Sequence, residues 1–489
     1  MSSSARYEDR LFLAFVAFLV WLPLPLGSNR PWAVALLVAG AAVISLLWLA
    51  GFRRGIVTAG AAFGGARAAL GLLSAWLAYV LLQQLPLPLG IRQMLSPQSA
   101  ELHALAGSTD WATLSLDPHG TFYFWLKSAA YGAVFTLTLL LVKDKRRLVL
   151  LSYALLVSGV LQACYGGLMT LSGLEYGFFM EKTAYRGLAT GTFVNRNHLA
   201  GYLEMTLAVG IGLLLAMIPR AEATRSWRQR LRNLLDLALS HKTPLRLMLA
   251  MMVIALVLTR SRMGNTAFFA SMLVAGALAL TAFHRQCGSL PAMFRRTETR
   301  TAVILLASLV AIDVAIVGTW FGVEKVAQRI AESSVSGDAD RIEVARNTLD
   351  LWRDYPIVGA GGGSFRLAYA AYRGEAIEGF YDHAHHDYLE IAAETGAVGL
   401  ALLAGVVLSS LGAALRALFV RRDALMRGTA FASVMGSVAL LIHGAVDFNL
   451  QIPANAATFM VILALGWIAL HLDRRLSGDG QPDRGLHGA

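Results

Sequence analysis

Four short groups of polar residues interrupt an otherwise strongly apolar chain, and each combines side chains that can do chemistry. The first is Gly191-Thr192-Phe193-Val194-Asn195-Arg196-Asn197-His198. Asn195 or Asn197 could cap a helix starting here, but capping alone requires neither Arg196 nor His198. The second, Thr259-Arg260-Ser261-Arg262, puts two guanidinium groups into one short turn. A guanidinium stays charged at any relevant pH and presents its donors as a fork that fits phosphate oxygens. The turn therefore reads as a diphosphate clamp, with lipid headgroup phosphate as the alternative ligand. The third group is His383-Ala384-His385-His386-Asp387-Tyr388, followed by Glu390 and Glu394 before Gly396. His385, Glu390 and Glu394 could share a helical face as metal ligands, but no recognised ligand spacing is present. A histidine acting as general base is more economical, because its unperturbed pKa of about 6.5 suits proton removal from a hydroxyl. The fourth group is His443, Asp447, Asn449 and Gln451, ending at Pro453. His443 and Asp447 stand four apart, so they form either a buried pair locking two helices or part of a sugar or lipid-linked substrate site.

The elements that must position these groups are set by composition. The chain has 489 residues, 56% of them hydrophobic and only 15% charged, far from the roughly 25% charged residues of soluble domains. Apolar runs centre near 11–26, 32–51, 68–85, 122–142, 148–172, 198–218, 245–259, 264–283, 302–321, 397–415, 428–448 and 454–472. A spanning helix needs about 20 mostly apolar residues, so the expected fold is an all-α polytopic integral membrane protein with about twelve transmembrane helices. The first run ends in Pro-Leu-Pro-Leu-Gly without a convincing small-residue cleavage site, and reads as a span rather than a signal peptide.

Basic loops stay cytoplasmic. With the N-terminus inside, Arg53, Arg54 and Arg67, the Lys143–Arg147 group, the dense Arg220–Arg246 stretch, Arg285–Arg300, Arg416–Arg427 and Arg474–Arg475 all fall on the cytoplasmic side. Both termini are then cytoplasmic and all four polar groups lie on the outer side. The net charge of +11 is thus explained by topology, and no basic face for nucleic acid is needed. Cys164 and Cys287 are too few and too scattered for a disulfide framework or a cysteine metal site.

The one large outer segment, about 322–396, shows a helical pattern with Ile342, Ala345, Leu349 and Trp352 on one face and Arg346 and Arg353 on another, as in an amphipathic helix. Tyr355-Pro356 should end that helix, and the glycine-rich run 359–363 should give a flexible turn. No strand precedes these glycines, so they are not a nucleotide fingerprint, and no cofactor is expected. Three regions follow: N-terminal transmembrane helices over 1–190, a transmembrane domain over 191–476 that includes the outer loop 322–396, and a disordered cytoplasmic tail over 477–489.

Three passages resemble the O-antigen ligase superfamily, which includes lipopolysaccharide O-antigen ligases and Wzy-type polysaccharide polymerases: GTFVNRNHLAGYL (191–203), LTRSRMG (258–264), and RIEVARNTLDLWRDYPIVGAGGGSF running on to HAHHDYLEIAAETGAVG (341–399). The likeness spans roughly 190–460. It implies a glycosyltransferase of the bacterial inner membrane that takes a glycan from an undecaprenyl-diphosphate carrier on the periplasmic face. The acceptor would be a hydroxyl on another glycan or on lipid A–core, and transfer would proceed with inversion and without a metal. The family pattern of a histidine, ten residues and a glycine matches His385 to Gly396, so His385 inherits the role of base. Arg260, Arg262 and Arg341 match the arginines that hold the diphosphate. Arg196, His198, His386 and Asp447 are further candidates for binding substrate. The residue after the motif histidine is commonly Asn, and here it is His386, which leaves open which of the two faces the acceptor. A transporter or flippase of lipid-linked glycan is the competing class, but it should place its polar residues near the midplane and show an internal repeat.

Overall fold

The computed structural model describes residues 3–107, 110–217, 243–287, 337–374, 377 and 379–472. The expected span at 302–321, the Arg220–Lys242 and Arg295–Arg300 clusters, Arg474, Arg475 and the 477–489 tail lie outside these residues.

The described chain is almost entirely helical. In order, its helices are α1 (Ser3–Trp21), α2 (Pro31–Arg53), α3 (Ala61–Gly65), α4 (Arg67–Leu82), α5 (Leu89–Leu95), α6 (Pro97–Leu105), α7 (Pro118–Leu141), α8 (Lys145–Ser172) and α9 (Arg196–Ala216), then α10 (Thr243–Leu258), α11 (Arg262–Cys287), α12 (Gly337–Asp354), α13 (Phe365–Ala368), α14 (Asp387–Val420), α15 (Ala424–Gly444) and α16 (Pro453–His471). Two minimal antiparallel pairs, Leu87–Pro88 with Trp111–Ala112 and Tyr176–Gly177 with Met180–Glu181, are the strands among the described residues. Eight helices are long and apolar enough to cross a membrane: α2, α7, α8, α9, α11, α14, α15 and α16. Helices α4 and α10 are apolar but only 16 residues long, and α1 carries Arg6, Glu8, Asp9 and Arg10 in its first half. The protein is therefore a polytopic all-α membrane protein, with eight such spans among the described residues.

Burial separates centre from rim. The apolar stretch of α16 is 94% buried and that of α9 is 89% buried, against 33% in α2 and 28% in α14, so α9 and α16 form the middle and α2 and α14 face lipid. Helices α9 and α15 cross at Gly212 and Gly428. A Cβ on Gly212 would stand 2.3 Å from the Gly428 carbonyl oxygen, and one on Gly428 would stand 2.2 Å from the Gly212 oxygen. Such backbone contact is how small residues tighten helix pairs in lipid. It fixes the two helices that carry Arg196, His198 and His443. Ser433 Oγ donates to the Ile462 carbonyl at 2.7 Å, and Trp467 Nε1 donates to Ser410 Oγ at 3.0 Å, tying α14, α15 and α16 together.

One end of the bundle is held by ion pairs among the expected cytoplasmic residues: Lys143 with Glu8, Arg147 with Asp9 at 2.8 Å, and Lys145 with Asp423 at 2.8 Å. At the other end a second apolar core forms under the outer segment from Val344, Leu351, Tyr355, Phe365, Tyr369, Ala384 and Ala393. Two expectations are corrected here. Helix α12 buries Val344, Thr348 and Leu351, whereas Ile342 is 66% exposed. The inward face is thus offset from the one read off the sequence, because α12 packs on α14 rather than lying flat on a membrane. The 359–363 run is not a loose turn either. Its backbone is pinned, with Ala360 N donating to Ala393 O at 2.9 Å, Gly361 N to Glu394 O at 2.8 Å and Gly362 N to Gln83 Oε1 at 3.1 Å.

This docking depends on a break in α14. Gly396 has φ 63° and ψ −173° and interrupts the helix, and a Cβ there would meet the Ile357 carbonyl oxygen at 2.1 Å. Ala397 N donates to Pro356 O at 2.8 Å, and Tyr79 of α4 donates to both Val358 O at 2.8 Å and Thr395 O at 2.7 Å, so backbone groups at the break find partners. Gly396→Ala should therefore cost on the order of 1–3 kcal/mol in backbone strain alone, with the clash added. The measurable outcome is a lower apparent melting temperature in detergent, whereas Gly64→Ala, where an added Cβ meets nothing, should leave it unchanged.

Candidate active site

The strap before α14 is built by the first turn of that helix. The Glu390 carboxylate bonds His383 Nδ1 at 2.7 Å and accepts from Ala384 N at 2.7 Å. His386 Nδ1 accepts from Leu389 N at 3.3 Å and so caps the helix. Burial lowers the His386 pKa, in keeping with a neutral ring that accepts this bond. Asp387, fully buried, accepts from Leu450 N at 3.1 Å, and its own N–H donates to Asp447 O at 3.2 Å. These bonds lash the strap to the segment joining α15 and α16.

Between these anchors His385 sits in the left-handed region, φ 51°. Its Nδ1 faces Asp447 Oδ1 at 3.4 Å, long for a hydrogen bond and close enough for strong charge interaction. Its ring meets Phe448 edge-on at 4.6 Å and Tyr381 at 5.9 Å, whereas the His386 ring meets Tyr388. Phe448 is a hub for three imidazoles, since His383 stacks on it at 4.5 Å and His198 meets it edge-on at 4.7 Å. Burial would raise the Asp447 carboxyl, but the facing His385 and the positive potential of His198 and His443 carry it well below the usual carboxylate range. Asp447 is thus a fixed negative charge behind His385.

The arginines come from three other places. Asn195 caps α9 by accepting from Asn197 N at 2.9 Å, and Arg196 follows with its guanidinium 5.9 Å from the Tyr185 ring centre. The α10–α11 turn is closed by Ser261 N donating to Thr259 Oγ1 and by Gly264 N donating to Ser261 Oγ, both at 3.1 Å. That geometry puts Arg260 at φ 51° and Arg262 on the first residue of α11. Arg196 lies in the electrostatic field of Arg341, Arg262 and Arg260, so four guanidinium groups from α9, α11, α12 and one turn share a neighbourhood. Arg341 also acts on Tyr381, the ring beside His385. Helices α9 and α11 start here, and helix N-termini favour anions.

Of the eight residues singled out in the sequence, seven converge: His385, Asp447 and His198 around Phe448, and Arg196, Arg260, Arg262 and Arg341 beside them. His386 is the exception, because its Nδ1 is committed to the helix cap. The candidate metal trio is dispersed: His385 faces Asp447, Glu390 holds His383, and Glu394 accepts from Phe365 N at 3.0 Å. The expected locking pair of His443 and Asp447 gives way to different partners, as His443 Nδ1 bonds Glu204 Oε1 of α9 at 2.8 Å. Sequence reading passed over Glu204 and Phe448, and gave Asp387 no role of its own. A lone acidic residue in an apolar span was the signal for Glu204, whereas Phe448 offered none.

Fold and site together define a polytopic α-helical membrane protein with a histidine–carboxylate pair and an arginine cluster at one end of the bundle. Residues 247–404 match the family model Wzy_C, described as O-Antigen ligase, which places this stretch in the O-antigen ligase superfamily. The family supports a membrane glycosyltransferase of the ligase or polymerase kind. The matched stretch includes Arg260, Arg262, Arg341, His385 and His386, while Arg196, His198 and Asp447 lie outside it. No curated protein matches the chain.

The strap carries a pH signature. Burial would lower the His383 pKa, but the Glu390 carboxylate outweighs it and raises the pKa above its ordinary value. A raised histidine pKa means stabilisation that is complete below about 6.5 and is lost as pH rises through the raised value. Amide hydrogen exchange over 383–386 should therefore accelerate on the alkaline side by more than the intrinsic rate does, and His383→Gln should remove that excess.

Proposed function

We propose that this protein is a glycosyltransferase of the bacterial inner membrane that moves a glycan from an undecaprenyl-diphosphate carrier to an acceptor hydroxyl on the periplasmic face. The observation that carries the reading is the juxtaposition of His385, backed by the Asp447 carboxylate, with four arginines drawn from distant parts of the chain.

The sugar–phosphate bond of such a donor is already activated, so the protein has three tasks: hold the leaving diphosphate, remove the acceptor proton, and align the two. Arg196, Arg260, Arg262 and Arg341 supply fixed positive charge for the diphosphate, which gains charge as the sugar–oxygen bond breaks and its electron pair departs with the phosphate. The acceptor oxygen attacks the anomeric carbon from the opposite face, which inverts the configuration, and its proton passes to His385. Asp447 orients the imidazole through Nδ1 and stabilises the imidazolium once it forms, leaving Nε2 for the hydroxyl. His386, whose ring caps α14, supports the strap and stays out of the proton transfer.

Transfer in proteoliposomes, with purified undecaprenyl-diphosphate glycan supplied with and without lipid A–core, tests this. His385→Ala should lose about 10²–10⁴-fold in rate, and Arg262→Ala about 10²-fold or more. His386→Ala should stay within a few-fold of wild type while losing about 1 kcal/mol of stability with its cap. Chain growth without lipid A–core identifies a polymerase, and joining only in its presence identifies a ligase. Unchanged rates in both His385→Ala and Arg262→Ala would overturn the assignment.

A further inference from the structure

Beneath His385, inside the bundle, lies a buried acid–base pair that the transfer described above does not use. Glu204 sits about two turns below Arg196 on α9. It bonds His443 Nδ1 of α15 at 2.8 Å, and neither side chain is more than 1% exposed. Ionisable groups at such depth in a spanning helix are costly and mark function. Locking α9 to α15 does not require them, because the Gly212–Gly428 crossing already brings the two backbones into contact.

The second polar atom of each partner, Glu204 Oε2 and His443 Nε2, is buried without a hydrogen bond to protein, and so are His198 Nε2, Asp447 Oδ2, Asn449 Nδ2 and Asn455 Oδ1. These atoms belong to one neighbourhood. Asn455 Nδ2 donates to His198 O and to Asn449 Oδ1, both at 2.9 Å. Gly201, between His198 and Glu204, lies so close that a Cβ would stand 2.3 Å from Asn449 Oδ1. Asp447 lies in the field of both His198 and His443. Buried polar atoms in such numbers are ordinarily satisfied by internal water, which needs two to four polar partners.

We propose that Glu204 and His443 form a proton-holding pair, connected to Asp447 and so to His385 through water held among His198, Asn449 and Asn455. This rests on the reading of His385 as the base. In each transfer the acceptor O–H bond breaks and an N–H bond forms on His385. When His385 resets, its Nδ1–H bond breaks and one O–H bond forms on the Glu204 carboxylate, the proton moving along the water between them; once the product leaves, the Nε2 proton passes to bulk water and Glu204 returns its proton to Nδ1. The departing diphosphate is strongly negative and favours the imidazolium, so a nearby proton acceptor returns His385 to its neutral form before the next acceptor arrives. Glu204 and His443 are positioning residues, since they touch no reacting atom. The ionisable groups beside His443 are Asp447 in the α15–α16 segment and His198 on α9, and His198 in turn faces His383 and His385 on the strap. Tyr202, which α9 turns toward α8, is engaged with Ser158 at 2.8 Å.

The test is pH-difference infrared spectroscopy on the full chain in lipid vesicles without substrate. Wild type should show the carbonyl stretch of a buried carboxylic acid that is absent in Glu204→Gln. Its titration midpoint should shift by about one pH unit in Asp447→Asn, because Asp447 and Glu204 both act on His443. In transfer assays on native membranes with their own lipid-linked glycan, Glu204→Gln should shift the acid limb of the pH–rate profile by about one unit, and Glu204→Asp should restore it. A pair that only locks helices would lose thermal stability on substitution and leave the acid limb of the pH–rate profile where it was. A band that survives in Glu204→Gln, or one indifferent to Asp447→Asn, overturns the proposal, and Asp447→Asn reads the coupling with Glu204 intact should Glu204→Gln fail to fold. Full activity of His385→Ala would instead sink the base assignment, while the infrared coupling would still decide the pair.

Discussion

The site depends on one interruption of a helix. If α14 ran unbroken through Gly396, its first turns would have to continue the line of the span below them, and residues 356–361 would have nowhere to dock. The break frees the short stretch 387–395 to take its own direction, and the hydrogen bonds from Ala360 and Gly361, together with those of Tyr79 and Gln83, hold it there. Backbone groups buried here without partners would be costly, so the break and the segment that fills it imply each other. From that platform Glu390 grips the strap and Asp387 reaches Leu450, which is how His385 comes to lie over Asp447.

The two ends of the bundle use charge in opposite ways. At one end acids and bases alternate, Glu8 and Asp9 against Lys143 and Arg147, with Lys145 against Asp423, so the helices are stapled by local neutrality. At the other end like charges gather: Arg260, Arg262 and Arg341 all act on Arg196. Gathering like charges is unfavourable in itself, and it becomes favourable once an anion with several oxygens sits among them. Phe448 does the complementary task for the imidazoles, giving three of them one apolar surface and thereby fixing where each ring edge points.

Much of this was legible in the sequence because the solvent is lipid. In an apolar chain each polar cluster is conspicuous, and the membrane orders clusters by depth, so Arg196, Arg260, Arg262, His385 and Asp447 could be grouped without knowing how the helices pack. What packing decides was not legible. The partner of His443 is Glu204 rather than Asp447 because α9 and α15 cross where two glycines permit contact, a fact that no spacing within α15 encodes. The inward face of α12 was misread because Ile342 and Val344 are equally apolar, and only the position of α14 chooses between them. The glycine run looked loose because glycine signals either freedom or close approach, and here Gly359 faces the Glu394 carbonyl so tightly that a Cβ would stand 2.2 Å from its oxygen.

Two of the residues that give this site its character, His385 and Arg260, hold the backbone in the left-handed region with φ near 51°. Arginine is rare in that region and histidine less so, and glycine or asparagine would relax either turn. Selection for thermal robustness alone would therefore erode the proposed base and clamp. A stabilised version of this protein obtained without a screen for activity is the kind most prone to be inert, and consensus-style repair of its loops should leave these two positions alone.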